Sequence, residues 1–273
     1  MTPPSSLWPP WSPSRCSTSP STGPSRSCSS AADAVTRWNG SVGVVSSWRE
    51  FWDRDTPIYV NARHKARHYA GLSREIAALV PHPDAIVLDH GCGEALSADR
   101  VAEACGLLHL CEASPRQRDA LAQRYAGNPR ITVLAPEEVA ALPTAGLDLV
   151  VANSLAQYLT GPELDAYLRD WRRLLKPGGR LILADVIPPQ LGAVSDATAL
   201  LAFARRDGFL PAALLGLART FLSDYRALRR RLGLARYDEA EMLARLTAAG
   251  FTAERMPRNL GHNQGRMAFL ARV

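Results

Sequence analysis

Apolar positions first recur at helical spacing. Ala66, Tyr69, Ala70, Leu72, Ile76 and Leu79 fall every few residues and predict a leading helix, in a segment whose aromatic-rich composition starts near Trp48. After "PHPD" the pattern changes to short apolar runs: "AIVLD", "LLHLCE", "RITVL", "LDLVVANS" and "RLILADVI". Between them lie a helix ending near Ala104, then "SPRQRDALAQRYAG", a short acidic segment and "GPELDAYLRDWRRLLKPGG". Strands covered by helices on both faces read as near-continuous apolar runs, so this alternation predicts a mostly parallel sheet. The "KPGG" at 176–179 predicts a helix stop before the fifth strand. A helix-rich segment from about 188 to 234 then interrupts the alternation. It resumes in "YDEAEMLARLTAAGFTAERM" and "RMAFLARV", a helix and two strands predicted to form an antiparallel hairpin at the sheet edge. The expected fold class is α/β, doubly wound, with a mostly parallel seven-stranded sheet, the terminal hairpin, and a helical insertion at 188–234 before the last two strands.

Composition alters this picture mainly at the start of the chain. Residues 1–47 are dominated by Ser and Pro, with Asp33 their only acid, and show no periodicity; they are expected to be a disordered extension ahead of one folded domain at 48–273. Over the whole chain hydrophobic residues make up 47% and charged residues 21%, ordinary values for a globular protein. The net charge of +6 comes from arginines, with only Lys65 and Lys176 as lysines, and such an excess alone is no specific signal for nucleic acid. Cys16, Cys28, Cys92, Cys105 and Cys111 form no C-x-x-C pair and do not alternate with histidines at ligand spacing, so no metal site is expected and a reducing, cytoplasmic setting fits. Neither a long apolar span nor a basic start followed by an apolar run is present, so no membrane helix or secretory signal is expected.

The chemistry concentrates in "VLDHGCGEA". In an open parallel sheet, ligands bind beyond the carboxyl ends of the strands, where strand order reverses. Asp89 sits at such a strand tip, and Gly91, Cys92 and Gly93 follow in a turn whose glycines let a ligand approach the backbone. Glu112 ends the second strand 23 positions later and suits the two hydroxyls of a ribose. A dinucleotide fingerprint needs Gly or Ala where Leu96 stands, which weighs against an NAD(P)-dependent oxidoreductase. Taken singly these features have plain structural readings: a tight turn, a strand-end surface acid, and a packed Cys92 without a cationic activator.

Together, "VLDHGCGEA", the acid ending strand two, "LDLVVANS", "LLKPGGRLILAD" and the closing hairpin resemble the class I S-adenosylmethionine-dependent methyltransferase family, in its small-molecule, UbiE-like type, over about residues 60–273. The resemblance implies a Rossmann-like fold and S-adenosyl-L-methionine as cofactor. The family pattern D-x-G-x-G-x-G is met at Asp89, Gly91 and Gly93, with Ala95 in place of the third glycine. It further implies that Asp89 and the Gly91, Cys92 and Gly93 backbone hold the methionyl part, and that Glu112 with Ala113 holds the ribose. Glu137 or Glu138 would receive the adenine amino group, and Asn153 with Ser154 would line the methionyl side.

Methyl transfer from a sulfonium is a direct displacement that needs positioning and, for a protonated acceptor, a base. The leading candidates for a catalytic role are His262 and His68, which the resemblance places beside the acceptor pocket; Tyr69 and Asp185 follow, and each also reads as a packing or surface residue. The segment after strand four, "ANSLAQYL", lacks [D/N]-P-P-[Y/F], and no cysteine lies near strands four or five, so a nucleic-acid acceptor is disfavoured. A small-molecule or lipid-like acceptor remains. The segment 201–236 joins apolar stretches to many arginines, which fits a lid with solvated charges, peripheral contact with an anionic membrane, or an acidic acceptor. The alternative function is a catalytically degenerate cofactor-binding protein on the same fold.

Overall fold

Asn61 starts the leading helix, α1 (Ala62–Leu79), by accepting a hydrogen bond from the His64 backbone N–H at 2.8 Å, and Tyr69, Leu72, Ser73 and Ile76 form its buried face. The computed structural model describes residues 52–53, 59–221 and 233–273. The expected extension at 1–47 and the basic positions Arg226, Arg229, Arg230 and Arg231 lie outside the described residues.

After α1 the strands and helices alternate as β1 (Ile86–His90), α2 (Ala98–Ala104), β2 (Leu107–Cys111), α3 (Pro115–Tyr125), β3 (Ile131–Leu134), α4 (Pro136–Ala140), β4 (Leu147–Asn153), α5 (Gly161–Leu174) and β5 (Leu175–Val186). Two helices of the insertion follow, α6 (Ala193–Asp207) and α7 (Leu210–Phe221), then α8 (Glu239–Ala248), β6 (Thr252–Arg255) and β7 (Met267–Arg272). The seven strands form one sheet in the order β3-β2-β1-β4-β5-β7-β6, parallel except for β7, which runs antiparallel to both β5 and β6. Strand order therefore reverses between β1 and β4. That is the topological switch point, and it sets the carboxyl ends of β1, β2 and β4 around one crevice.

Burial along β4 explains the double winding. Leu149 and Val151 face one core with Leu72, Val101 and Leu121 from α1, α2 and α3; Val150 and Ala152 face the other with Leu164, Leu168 and Trp171 from α5 and Met242 and Leu246 from α8. In α5 the capping box of Thr160 and Glu163 opens the helix, and Leu164, Leu168, Trp171 and Leu174 bury one stripe. Trp171 could not be buried with an idle indole N–H; it donates to His90 Nδ1 at 3.1 Å. The helix stops at Leu174, ahead of "KPGG" as expected, but that stretch belongs to the irregular start of β5: the pairing steps from Leu147–Leu175 to Leu149–Arg180, so the extra residues bulge out of the ladder. A separate small core, Phe203, Ala204, Phe209 and Ala213 with Val60, holds α6 and α7 against the segment before α1.

Candidate functional site

The turn after β1 is gripped from several sides. Gly91 and Cys92 donate their N–H groups to the Cys111 carbonyl at 2.8 and 3.1 Å, and Gly93 N–H donates to Glu112 Oε2 at 3.0 Å. The other Glu112 oxygen, Oε1, accepts from Ser114 N–H at 2.9 Å. Gly93 has φ +59°, and a Cβ there would lie 2.9 Å from the Tyr69 hydroxyl oxygen, so a side chain would be strained and would have to displace Tyr69. Tyr69 in turn accepts from Glu94 N–H at 3.0 Å, which ties the turn to α1.

Ala95, standing where the resembling family has glycine, takes the left-handed conformation all the same, at φ +38°. Tyr125 fixes it, donating to the Ala95 carbonyl while accepting from Ala98 N–H at 3.2 Å. The strain of an alanine there is roughly 1 kcal/mol, and a glycine would restore a similar amount of unfolded-chain entropy. Ala95→Gly is therefore expected to change stability by less than about 1 kcal/mol. Ala95→Val, which puts a β-branched side chain at the same φ, is expected to lose at least about 2 kcal/mol. Thermal melts of the two variants check this.

Asp89 and Glu112 make the crevice acidic. The Asp89 carboxylate has no hydrogen-bond donor among the described residues, and burial together with the nearby Glu112 raises its pKa from 3.8 to about 7. Asp89 keeps some access to solvent, as a group on the floor of a cleft does, whereas Glu112 is buried. The thiols of Cys92 and Cys111 are pushed up, first by burial and then by these two acids, so both stay protonated and inert. At the end of β3, Glu138 turns back to accept from Ala135 N–H at 2.7 Å, while Glu137 lies close enough to Cys111 to help raise its thiol. Ala113 is exposed, and its carbonyl accepts from Arg118 at 2.8 Å.

Across the switch point, Asn153 donates to Ser154 Oγ at 3.2 Å and leaves its own Oδ1 buried without a partner. Ser154 donates to Asp185 Oδ2 at 2.6 Å; both residues have positive φ, +58° and +62°, at the ends of adjacent strands. Backbone strain of this kind, at about 1–3 kcal/mol each, persists only where the surroundings enforce it. They do so here: Arg266 donates to Asp185 at 2.7 Å and to Asp196 of α6 at 3.2 Å, and Asn259 accepts from Asp185 N–H at 2.9 Å.

The two histidines singled out from the sequence meet above this network. The rings of His68 and His262 are 6.2 Å apart, and His64, one helical turn before His68, is 6.3 Å from His262. Phe203 stacks on His262 at 4.8 Å and Phe209 on His64 at 4.9 Å, so α6 and the turn after it rest on imidazoles. Burial lowers His64 to about 4 and His68 to about 3, and lowers His262 as well, which leaves all three neutral at pH 7. His64 Nδ1 accepts from Val60 N–H at 3.3 Å, so its proton sits on Nε2. His68 and His262 make no hydrogen bond among the described residues. No group of metal ligands occurs among them either.

Asp89, Gly91, Cys92, Gly93, Glu112, Ala113, Glu137, Asn153 and Ser154 thus gather at the carboxyl ends of β1 to β4, with Glu138 turned to its own backbone, and His68 with His262 across the crevice. Sequence reasoning passed over His64, although its i, i+4 spacing to His68 was a usable signal. It also passed over Arg266 and Tyr125, single residues whose partners are remote in sequence.

Residues 87–179, which contain the turn, Glu112 and the strained end of β4, match the family model described as a methyltransferase domain. Over this stretch the chain has a methyltransferase domain. An uncharacterized methyltransferase of Geobacillus kaustophilus is 24% identical to the chain over 144 residues, 52% of this chain and 65% of that protein. The chain thus covers just under two thirds of that relative. Two solved structures share the methyltransferase fold. Magnesium protoporphyrin IX methyltransferase from Synechocystis, with bound SAH, is 20% identical, with a TM-score of 0.51 over 81% of this chain and 91% of that one. A methyltransferase dependent on S-adenosylmethionine from Mesorhizobium loti is 14% identical, with a TM-score of 0.51 over 75% of this chain and all of the other.

Proposed function

We propose that the chain is a methyltransferase that moves the methyl group of S-adenosyl-L-methionine to a small-molecule or lipid-like acceptor. The observation that carries this reading is Asp89: a carboxylate at the switch point, without a donor among the described residues and raised to about 7 beside a second acid, suits a cationic ligand. Bound there, S-adenosyl-L-methionine supplies the cation and a methyl group on sulfonium sulfur. Asp89 and the unsatisfied Asn153 Oδ1 would hold the ammonium of the methionyl part, and Glu112, with one free lone pair on each oxygen, would accept from the ribose hydroxyls. Glu137, rather than the self-capping Glu138, would serve the adenine amino group.

His68 and His262 are the proposed acceptor-side residues, and their chemistry narrows the acceptor. An imidazole held near 3 is a weak base, so the cluster would orient a nucleophile more than deprotonate it. Acceptors that present a free lone pair or an acidic hydroxyl suit such a site. A lipid-like acceptor is supported by exposed Val194, Leu214 and Leu215 on α6 and α7, at 78%, 54% and 53%, helices that also carry exposed Arg205 and Arg206. No helix of the described residues is long and apolar enough to cross a membrane. The UbiE-like type and a cytoplasmic location belong to the same proposal.

Calorimetric titration with S-adenosyl-L-methionine is expected to give saturable, single-site binding, and methyl-labelled cofactor is expected to mark a low-molecular-weight or lipid fraction of cell extract. Absence of binding for both the cofactor and S-adenosylhomocysteine would remove the reading. The low basicity of the histidines favours one rival, a binding protein without transfer activity; binding with no label transferred to any fraction is its signature.

A further inference from the structure

Resting on the cofactor reading above, we propose that Trp52 is a wall of the adenosine site, held over the crevice by Asp53. Both residues are anchored to the start of α3, and the Trp52 ring alone reaches the far side of β1. Asp53 Oδ1 accepts from Ser114 Oγ at 2.7 Å and from Arg116 N–H at 3.4 Å, so its carboxylate sits on the positive N-terminus of α3. The Trp52 carbonyl accepts from Gln117 Nε2 at 3.1 Å, on the first turn of the same helix. Its indole, however, reaches the other way, meeting the Tyr158 ring edge-on at 5.6 Å and 75° in the short turn Ala156–Tyr158 beyond β4.

Strand order decides what lies beneath. α3 follows β2, Tyr158 follows β4, and β1 runs between those two strands. A connection from α3 to Tyr158 therefore crosses the carboxyl end of β1, where Asp89 and the Gly91–Gly93 turn lie. Ser114, the residue Asp53 holds, is also the residue whose N–H orients Glu112, so the anchor is one residue from the ribose-binding carboxylate. Gln117 spends its amide N–H on Trp52 and keeps Oε1 buried without a partner, an acceptor left over at the same place. An indole crossing the carboxyl ends of β2 and β1 offers a flat apolar cover to the nucleoside beside Glu112, and removal of an aromatic that packs on a nucleoside costs on the order of 10-fold in affinity or more.

The test uses the full chain. Calorimetric titrations of S-adenosylhomocysteine and of adenosine alone are compared for wild type, Trp52→Phe, Trp52→Ala and Asp53→Asn, alongside thermal melts without ligand. Trp52→Ala is expected to weaken both ligands at least about 10-fold, Trp52→Phe to retain most of the affinity because a ring remains, and Asp53→Asn to fall between them, with the unliganded melting temperatures lowered by only a few degrees. Wild-type tryptophan emission should also shift on ligand addition, and Trp52→Phe should remove most of the shift that the six tryptophans give together; this readout serves if the alanine variant does not fold. Unchanged or tighter binding by Trp52→Ala, or an emission shift undiminished in Trp52→Phe, overturns the inference while leaving the cofactor reading intact. Failure of the wild type to bind overturns both.

Discussion

Replacing Glu112 with alanine is expected to abolish measurable cofactor binding and to lower the melting temperature by about 10 °C. Both effects follow from its double occupation. Each carboxylate oxygen already accepts one backbone N–H, from Gly93 and from Ser114. Hydrogen bonds to a charged group are worth about 1.5–3 kcal/mol each, and deletion leaves both amides without their acceptor. The proposed ribose bonds are of the same kind, so their loss corresponds to at least about 100-fold in affinity. Glu112→Gln separates the two roles, since it keeps one acceptor oxygen but places an amide N–H₂ against a donor. It should retain part of the stability and little of the binding. If the folded fraction of either variant bound S-adenosylhomocysteine as tightly as wild type, Glu112 would be a brace for the turn and the ribose assignment would be lost.

Much of the fold was legible because it rests on burial patterns that repeat locally. β4 is apolar at nearly every position since both faces are covered, and β7 is apolar at most of its positions as well. The order β5-β7-β6, with the last strand inserted between its neighbours, was only partly legible: a hairpin at the edge is a statement about pairing, and periodicity does not say which of its strands meets β5. The start of β5 was legible only as a helix stop, because Pro and Gly mark one equally well whether a loop or a bulged strand follows.

The candidate site divides in the same way. Asp89, Gly91, Gly93 and Glu112 were visible because strand ends and a turn fix their positions through short-range sequence. Arg266, Asp185 and Asp196 come from three separate elements, and the salt bridges at 2.7 and 3.2 Å that join them exist only after the chain has folded. Trp52 lay in a segment with no readable periodicity. His64 was within reach, yet its stacking on Phe209 depends on where the insertion lands.

Asp89→Asn is expected to stabilise the unliganded protein while weakening the cofactor, and the opposition of the two effects identifies a site rather than a structural acid. Burial and Glu112 raise the folded-state pKa of Asp89 from 3.8 to about 7, so the folded chain holds this proton more tightly than the unfolded chain does. As pH rises from about 4 to about 7 the unfolded chain releases the proton first, and stability falls through that window; above it the cost is complete. At roughly 1.4 kcal/mol per unit, and after allowance for the solvent that reaches the carboxyl, the cost is on the order of 2 kcal/mol. The asparagine variant avoids it. It should melt several degrees above wild type at pH 8, by about 2–4 °C per kcal/mol, and match wild type near pH 4. Binding runs the other way, because a cationic ligand selects the ionised carboxylate. Wild-type affinity for S-adenosyl-L-methionine should rise as pH increases through about 7, with release of a proton at pH 6 that appears as a buffer-dependent binding enthalpy. Asp89→Asn should lose both the pH dependence and the proton release. A variant that melted below wild type at pH 8, or kept the pH-dependent affinity, would mean that the carboxylate serves the fold, and the acidic crevice would no longer argue for a cationic cofactor.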